Sequence, residues 1–180
     1  KEDAAMMVYD VTSSTTSSNI KKMATGINTS KLSASERKSL KALQDWDGAY
    51  AKEAIAPTIY NRFLWEFLKG TFKDEMQQGF AQFVNTPLQK KMLLAQVDNE
   101  NSVWWDDVTT KDIKETRQDI MTKSFQDAIA FLGNQLGENV DDWAWKRVIS
   151  IEYKHAIGTV SYLRKYFNVG PFETVGGNEV

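Results

Sequence analysis

No cysteine occurs among the 180 residues, which removes disulfides, a thiolate nucleophile and thiolate metal sites. That absence fits an oxidising compartment without requiring one. Histidine occurs once, at His155, so any imidazole mechanism has to use that residue. No apolar run approaches the ~20 residues that span a bilayer, so no membrane span is expected. Charge of one sign is also missing. Twenty-two basic against 24 acidic residues leave a net −2, too little to draw in nucleic acid or an anionic membrane. The spacing motifs of common sites are absent too: no Gly-x-Ser-x-Gly elbow, no calcium-binding acidic loop, no His-Glu-x-x-His and no Gly-rich phosphate loop. Lys1-Glu2-Asp3 does not open a signal peptide, although one belonging to a longer precursor would lie outside this sequence.

What is present is apolar and aromatic. A hydrophobic content of 42%, with six Trp, six Tyr and nine Phe, suffices for one domain with a sizeable core. We read 1–180 as a single, mainly α unit. It has a polar lead-in (1–30), a helical core (31–139) and a Trp/His/Gly-rich end (140–180) that is irregular or strand-like. Residues 5–11 are a short apolar run, strand or helix. The Ser/Thr tract from Thr12 to Asn19 reads as a polar loop or helix start rather than a source of catalytic serine. Ser33 and Glu36 form a capping box, and Trp46-Asp47-Gly48 is expected to close the helix it opens.

The clearest helical period follows. Ala56, Ile59, Tyr60, Phe63, Leu64, Phe67, Leu68, Thr71 and Phe72 make an apolar stripe, read as core, with Lys52, Arg62, Glu66, Lys69 and Lys73 opposite. Pro57 fits a first-turn position or a kink. A weaker element at 73–85 is interrupted by Gly79, and Thr86-Pro87 starts another helix carrying Leu88, Met92, Leu93 and Val97. A long helix is expected from about Lys111 to Leu136, Gly137 ending it, with Ile113 on its apolar face. Asp106, Asp107, Thr109 and Thr110 would cap and charge its start. Asp112 and Glu115 complete an acidic group that could suggest a metal, but the spacing supports no metal site. Asp141-Asp142 open a short turn bearing Trp143 and Trp145, and Tyr162, Leu163, Tyr166 and Phe167 form a last helical turn.

Several short motifs stand in order along the chain: Asp10-Val11-x-Ser13, Leu43-x-x-Trp46-Asp47-Gly48, Ile59-Tyr60-Asn61 and Trp104-Trp105-Asp106-Asp107. Trp143-x-Trp145, Glu152-Tyr153-x-His155, Phe167-Asn-Val-Gly-Pro-Phe172 and Gly176-Gly-Asn-Glu179 follow them. In this order, over roughly residues 7–180, the chain resembles the late β-chain of penicillin-acylase-type N-terminal-nucleophile hydrolases. The resemblance implies a helical segment of an αββα fold, and a parent enzyme that cleaves an acyl amide with the free α-amine of an N-terminal serine as base. It also implies the remainder of the acylase as partner, a small acyl-amide substrate, no cofactor in this segment, and a periplasmic or extracellular location.

The resemblance assigns no catalytic residue here. Residue 1 is Lys, none of the ten glycines precedes a serine, and the two that precede threonine are Gly70-Thr71 and Gly158-Thr159. Thr71 lies on the core stripe. The family's nucleophile and oxyanion donors lie before the Asp-Val-x-Ser motif, so they would precede residue 1, and substrate-binding residues are not readable. His155 is expected to be structural, bonding a carbonyl or packing by Trp143 or Trp145. The chain therefore reads as the scaffold part of a larger enzyme, inactive and prone to self-association by itself. A second reading is a helical protein-interaction module, and a third a self-sufficient hydrolase using His155.

Overall fold

Three of the longer helices of the computed structural model, which describes residues 10–177, start where a side chain takes an orphaned backbone N–H. Helix α1 (Ser14–Thr25) begins after Ser13, whose Oγ accepts the Thr16 N–H at 3.2 Å. The Ser/Thr tract is thus a helix start, and Ile20 and Met23 on α1 are fully buried. Helix α2 (Ala34–Gln44) opens with the Ser33/Glu36 capping box in both directions, at 3.3 and 2.6 Å. Helix α3 (Ala56–Met76) carries Pro57 in its first turn, where the missing N–H costs nothing. Short α4 (Phe80–Phe83) and α5 (Leu88–Val97) follow, and α6 (Arg117–Leu136) is the second long helix.

Helices α3 and α6 lie against each other as the centre of the fold. Phe63 meets Phe125 edge-on with ring centroids 5.3 Å apart, and Ile59, Phe67, Phe72, Met121 and Ala128 are fully buried around them. Burying such a side chain contributes about 2 kcal/mol, so this contact is the main source of stability. The apolar stripe of α3 holds as expected, Leu64 being partly exposed. Trp105 packs on Phe67 and Trp104 on Phe72, closing the far end.

Four local expectations change. The interruption after α3 falls at Gln77, which takes φ +47°, whereas Gly79 has an ordinary φ of −68°. Gly48 does not cap α2, which ends at Gln44 with Asp45 beyond it. It has φ +94°, and a Cβ there would run into the Ser13 carbonyl oxygen, so glycine is required by the loop's approach to α1. Helix α6 starts at Arg117, not near Lys111, because Thr116 and Asp119 form a capping box and Asp112 sits at φ +66°. Ile113 is consequently 64% exposed rather than part of an apolar face. Glu66, expected on the outer face of α3, is only 4% exposed, since Arg62 and Lys69 one turn away on either side pair with it.

The last part of the chain leaves the helical mode. Strand β1 (Ser150–Tyr153) pairs antiparallel with β2 (Val169–Glu173), and the short helix α7 (Arg164–Phe167) lies between them in sequence. The protein is therefore mainly α with a short strand-like tail. Among the described residues no helix is long and apolar enough to cross a membrane. The apolar run at 5–9 and the final Asn178-Glu-Val180 lie outside the described residues.

Candidate functional site

Most of the motifs that stand in order along the sequence converge on one place. The Ser13 N–H donates to the Gly48 carbonyl at 3.0 Å, the Tyr50 N–H to Val11 at 2.9 Å, and Thr12 bridges Ala49. Trp46 packs edge-on against Tyr50, and Trp46 also meets the Tyr60 ring at 5.6 Å. Tyr50 in turn meets Trp145 at 5.5 Å. The Gly176 N–H donates to the Tyr50 carbonyl at 3.1 Å, while the Trp145 indole donates to the Gly176 carbonyl at 2.8 Å. A Cβ on Gly177 would collide with the Tyr50 ring. Residues more than a hundred positions apart thus form one aromatic knot, in which the Trp46 and Trp145 indoles both donate to backbone carbonyls. Its role is to seat the segment at 174–177 on the helices.

The histidine is elsewhere. His155 is exposed, its Nδ1 accepts the Ile157 N–H at 3.2 Å, and its ring stacks on Phe167 with centroids 5.6 Å apart. Its contacts are local, and the expected packing by a tryptophan is not seen: the Trp143 indole donates to the Gly137 carbonyl and Trp145 belongs to the knot. Thr71 is fully buried in α3, and the Thr159 hydroxyl donates to the Ala156 carbonyl at 2.7 Å.

The acidic group also has a different task. Asp107 accepts from the N–H and hydroxyl of Thr109, and Glu115 accepts the Asp107 N–H at 3.1 Å and is within hydrogen-bonding distance of the Thr110 hydroxyl. These residues fold the loop before α6 rather than capping the helix itself. Asp74 fastens the loop to α3 by accepting the Val108 N–H at 2.8 Å. Burial, then the hydrogen bond with Asp74 and the nearby Asp107 charge, push the Glu75 carboxyl up to about 7. Among the described residues no group of three His, Asp or Glu side chains is placed to hold a metal ion.

Beside this loop, α3 and α6 part into a cleft of about 570 Å³. Lys69, Lys73 and Asp74 line one wall, Ile120, Lys123 and Asp127 the other. Lys123 pairs with Asp127 at 2.7 Å, and Lys69 with Glu66 at 3.1 Å. The Ser124 hydroxyl donates to the Glu66 carbonyl at 3.2 Å, so its proton faces a helix carbonyl and not a base. The cleft offers a mixed-charge surface in which the one hydroxyl–carboxylate pair described, Thr109 donating to Asp107 at 2.6 Å, belongs to the loop before α6. Sequence reasoning missed it because its walls come from opposite faces of two helices 60 residues apart.

The penicillin amidase family matches over residues 1–180. An acyl-homoserine lactone acylase, QuiP, from Pseudomonas fluorescens (strain Pf0-1) is 30% identical over 133 residues, covering 68% of this chain and 16% of that protein. No solved structure matches. The chain belongs to the penicillin amidase family, a family of acyl amidohydrolases. It spans about a sixth of the length of the curated relative it matches.

Proposed function

We propose that these 180 residues are a scaffold part of a penicillin-acylase-like hydrolase that cleaves an acyl amide with an N-terminal serine outside this segment. The serine Oγ attacks the amide carbonyl, and its own α-amine takes the proton and passes it to the departing amine. Water then releases the acyl group as a carboxylic acid. The segment contributes helices that support the rest of the acylase, its partner, and no cofactor takes part within it. The substrate is a small acyl amide, either an acyl-homoserine lactone, as the relative's name suggests, or a β-lactam side chain. A periplasmic or extracellular location goes with this reading.

One observation carries it: the family match runs through the whole chain, and the seating of the segment at 174–177 on the helices by Trp145 and Tyr50 supports a scaffold role. The seated tail weighs against a free-standing interaction module, whose last residues would be dispensable. The intact mass and N-terminal sequence of the native product test the proposal, together with hydrolysis of a chromogenic acyl-anilide. A longer mature chain starting at serine, containing these residues and active, is the expected result. A native product of about 20.5 kDa starting near Lys1, or turnover by the isolated segment, would overturn it.

A further inference from the structure

The β1–β2 hairpin leaves its apolar side chains in solvent. Its register pairs Ile151 with Phe172 and Tyr153 with Val169, an irregularity between the two pairs absorbing the extra residue of β2. Directly paired residues point to one side of a sheet and alternate residues share a face, so these four apolar side chains lie together. All four face solvent, at 44, 52, 66 and 57% exposure respectively. Between them on β1, Glu152 turns the other way. Its side chain is only 11% exposed, and Arg164 of α7 grips both carboxylate oxygens at 2.9 and 2.7 Å. On that second face Glu152 is covered while Ser150 and its partner Glu173 remain exposed, so the open apolar face has no counterpart buried against the helices.

The apolar surface is not confined to four residues. Of the 18 large hydrophobic side chains exposed among the described residues, 11 fall between Val148 and Val175, Tyr162 and Tyr166 among them. A two-stranded sheet is marginal in water and an apolar patch of this kind marks a contact surface. The surface is nevertheless held in place. The knot pins Gly176 just beyond β2, and Lys52 of the helical body reaches Glu173 at 3.9 Å.

We propose that the Ile151–Tyr153–Val169–Phe172 face is a docking surface whose occupant is an apolar sheet or helix face of the remaining acylase polypeptide. This rests on the acylase reading above. The occupant follows from proportion: the relative is about six times longer than the segment matched here, and the hairpin is anchored to the helices so as to present its apolar side outward. A second copy of the chain would instead leave that much larger body without a seat on this face.

The experiment uses the full-length mature protein with the photo-crosslinking amino acid benzoylphenylalanine in place of Tyr153 or, separately, Phe172, and with a control probe at exposed Lys41. Light- and heavy-isotope preparations are mixed before irradiation, and crosslinked peptides are read by mass spectrometry. The expected result is a crosslink from both hairpin positions to residues of the same polypeptide outside these 180, and none from Lys41. Hydrogen exchange of the unsubstituted protein should show the amides of 150–173 protected at least tenfold over the peptide rate. Mixed-isotope crosslinks between copies, crosslinks only to other proteins, or unprotected hairpin amides with no crosslink would overturn the proposal. Acyl-anilide turnover is followed in parallel. Crosslinks without turnover would sink only the enzymatic reading, and turnover without crosslinks only the docking surface.

Discussion

The α3–α6 core and the β1–β2 hairpin treat apolar side chains in opposite ways. In the core, Phe63, Phe67, Phe72 and Phe125 are sealed from water, and even the carboxylate of Glu66 is buried between two cations. In the hairpin, the carboxylate of Glu152 is covered while Ile151 and Phe172 stay open. The same chemistry therefore stabilises one region within the chain and, in the other, is reserved for a neighbour. Hydrophobic free energy is realised only where apolar surface actually leaves water.

Truncations sharpen this contrast most. Phe63→Ala should destabilise the chain by about 3–5 kcal/mol in urea unfolding, since the facing Phe125 ring cannot fill the cavity. Next in size, Arg62→Ala should cost about 2 kcal/mol. It leaves Glu66 buried with Lys69 as its remaining partner and uncovers the Phe131 ring, over which Arg62 lies at 3.3 Å. A smaller loss, about 1 kcal/mol, is expected for Trp145→Phe, which removes the indole bond to Gly176. Limited proteolysis of that variant should cut at 174–177 faster than in the parent; an unchanged rate would show that Tyr50 alone seats the tail.

The loop clasped to α3 gives a pH signature. Folding raises the Glu75 carboxyl from its ordinary 4.5 to about 7, so the folded chain holds an extra proton in between. Its contribution is fully present below about pH 4.5 and is lost as pH rises to about 7. Glu75→Gln should flatten that decline and add about 1 kcal/mol at pH 8, the partial exposure of the group keeping the effect small. A decline of unchanged slope, measured by thermal melts from pH 4.5 to 8, would place the coupling elsewhere. The smallest change belongs to Phe172→Ala, under about 0.5 kcal/mol in this segment, because an open side chain has little burial to lose. In the full-length protein the docking surface raises that cost to about 2 kcal/mol.

Elements governed by neighbours in sequence were legible. The Ser33/Glu36 box, the Pro57 start and the stripe of α3 follow from local hydrogen bonding and the 3.6-residue period. The errors arose where a competing local signal existed. Asp106 and Asp107 look like helix-start residues, yet Thr116/Asp119 offers the better box next to α6, and Asp107 is drawn into the loop with Thr109, Thr110 and Glu115. Gly48 looks like a helix cap, but its conformation answers to the Ser13 carbonyl, a partner 35 positions away.

The sequence by itself determined a mainly helical chain, its caps, its principal core stripe and its family, because each depends on short-range periodicity or on motifs in order. Only the tertiary structure decided what those motifs do. It joined Ser13, Tyr50, Trp145 and Gly176 in one knot, and it turned Glu66 inward. It also opened the cleft between α3 and α6, and left the apolar face of β1–β2 outward. The physical reason is common to all four. Burial and long-range pairing are properties of where two distant segments meet, and periodicity along one segment carries no record of its partner.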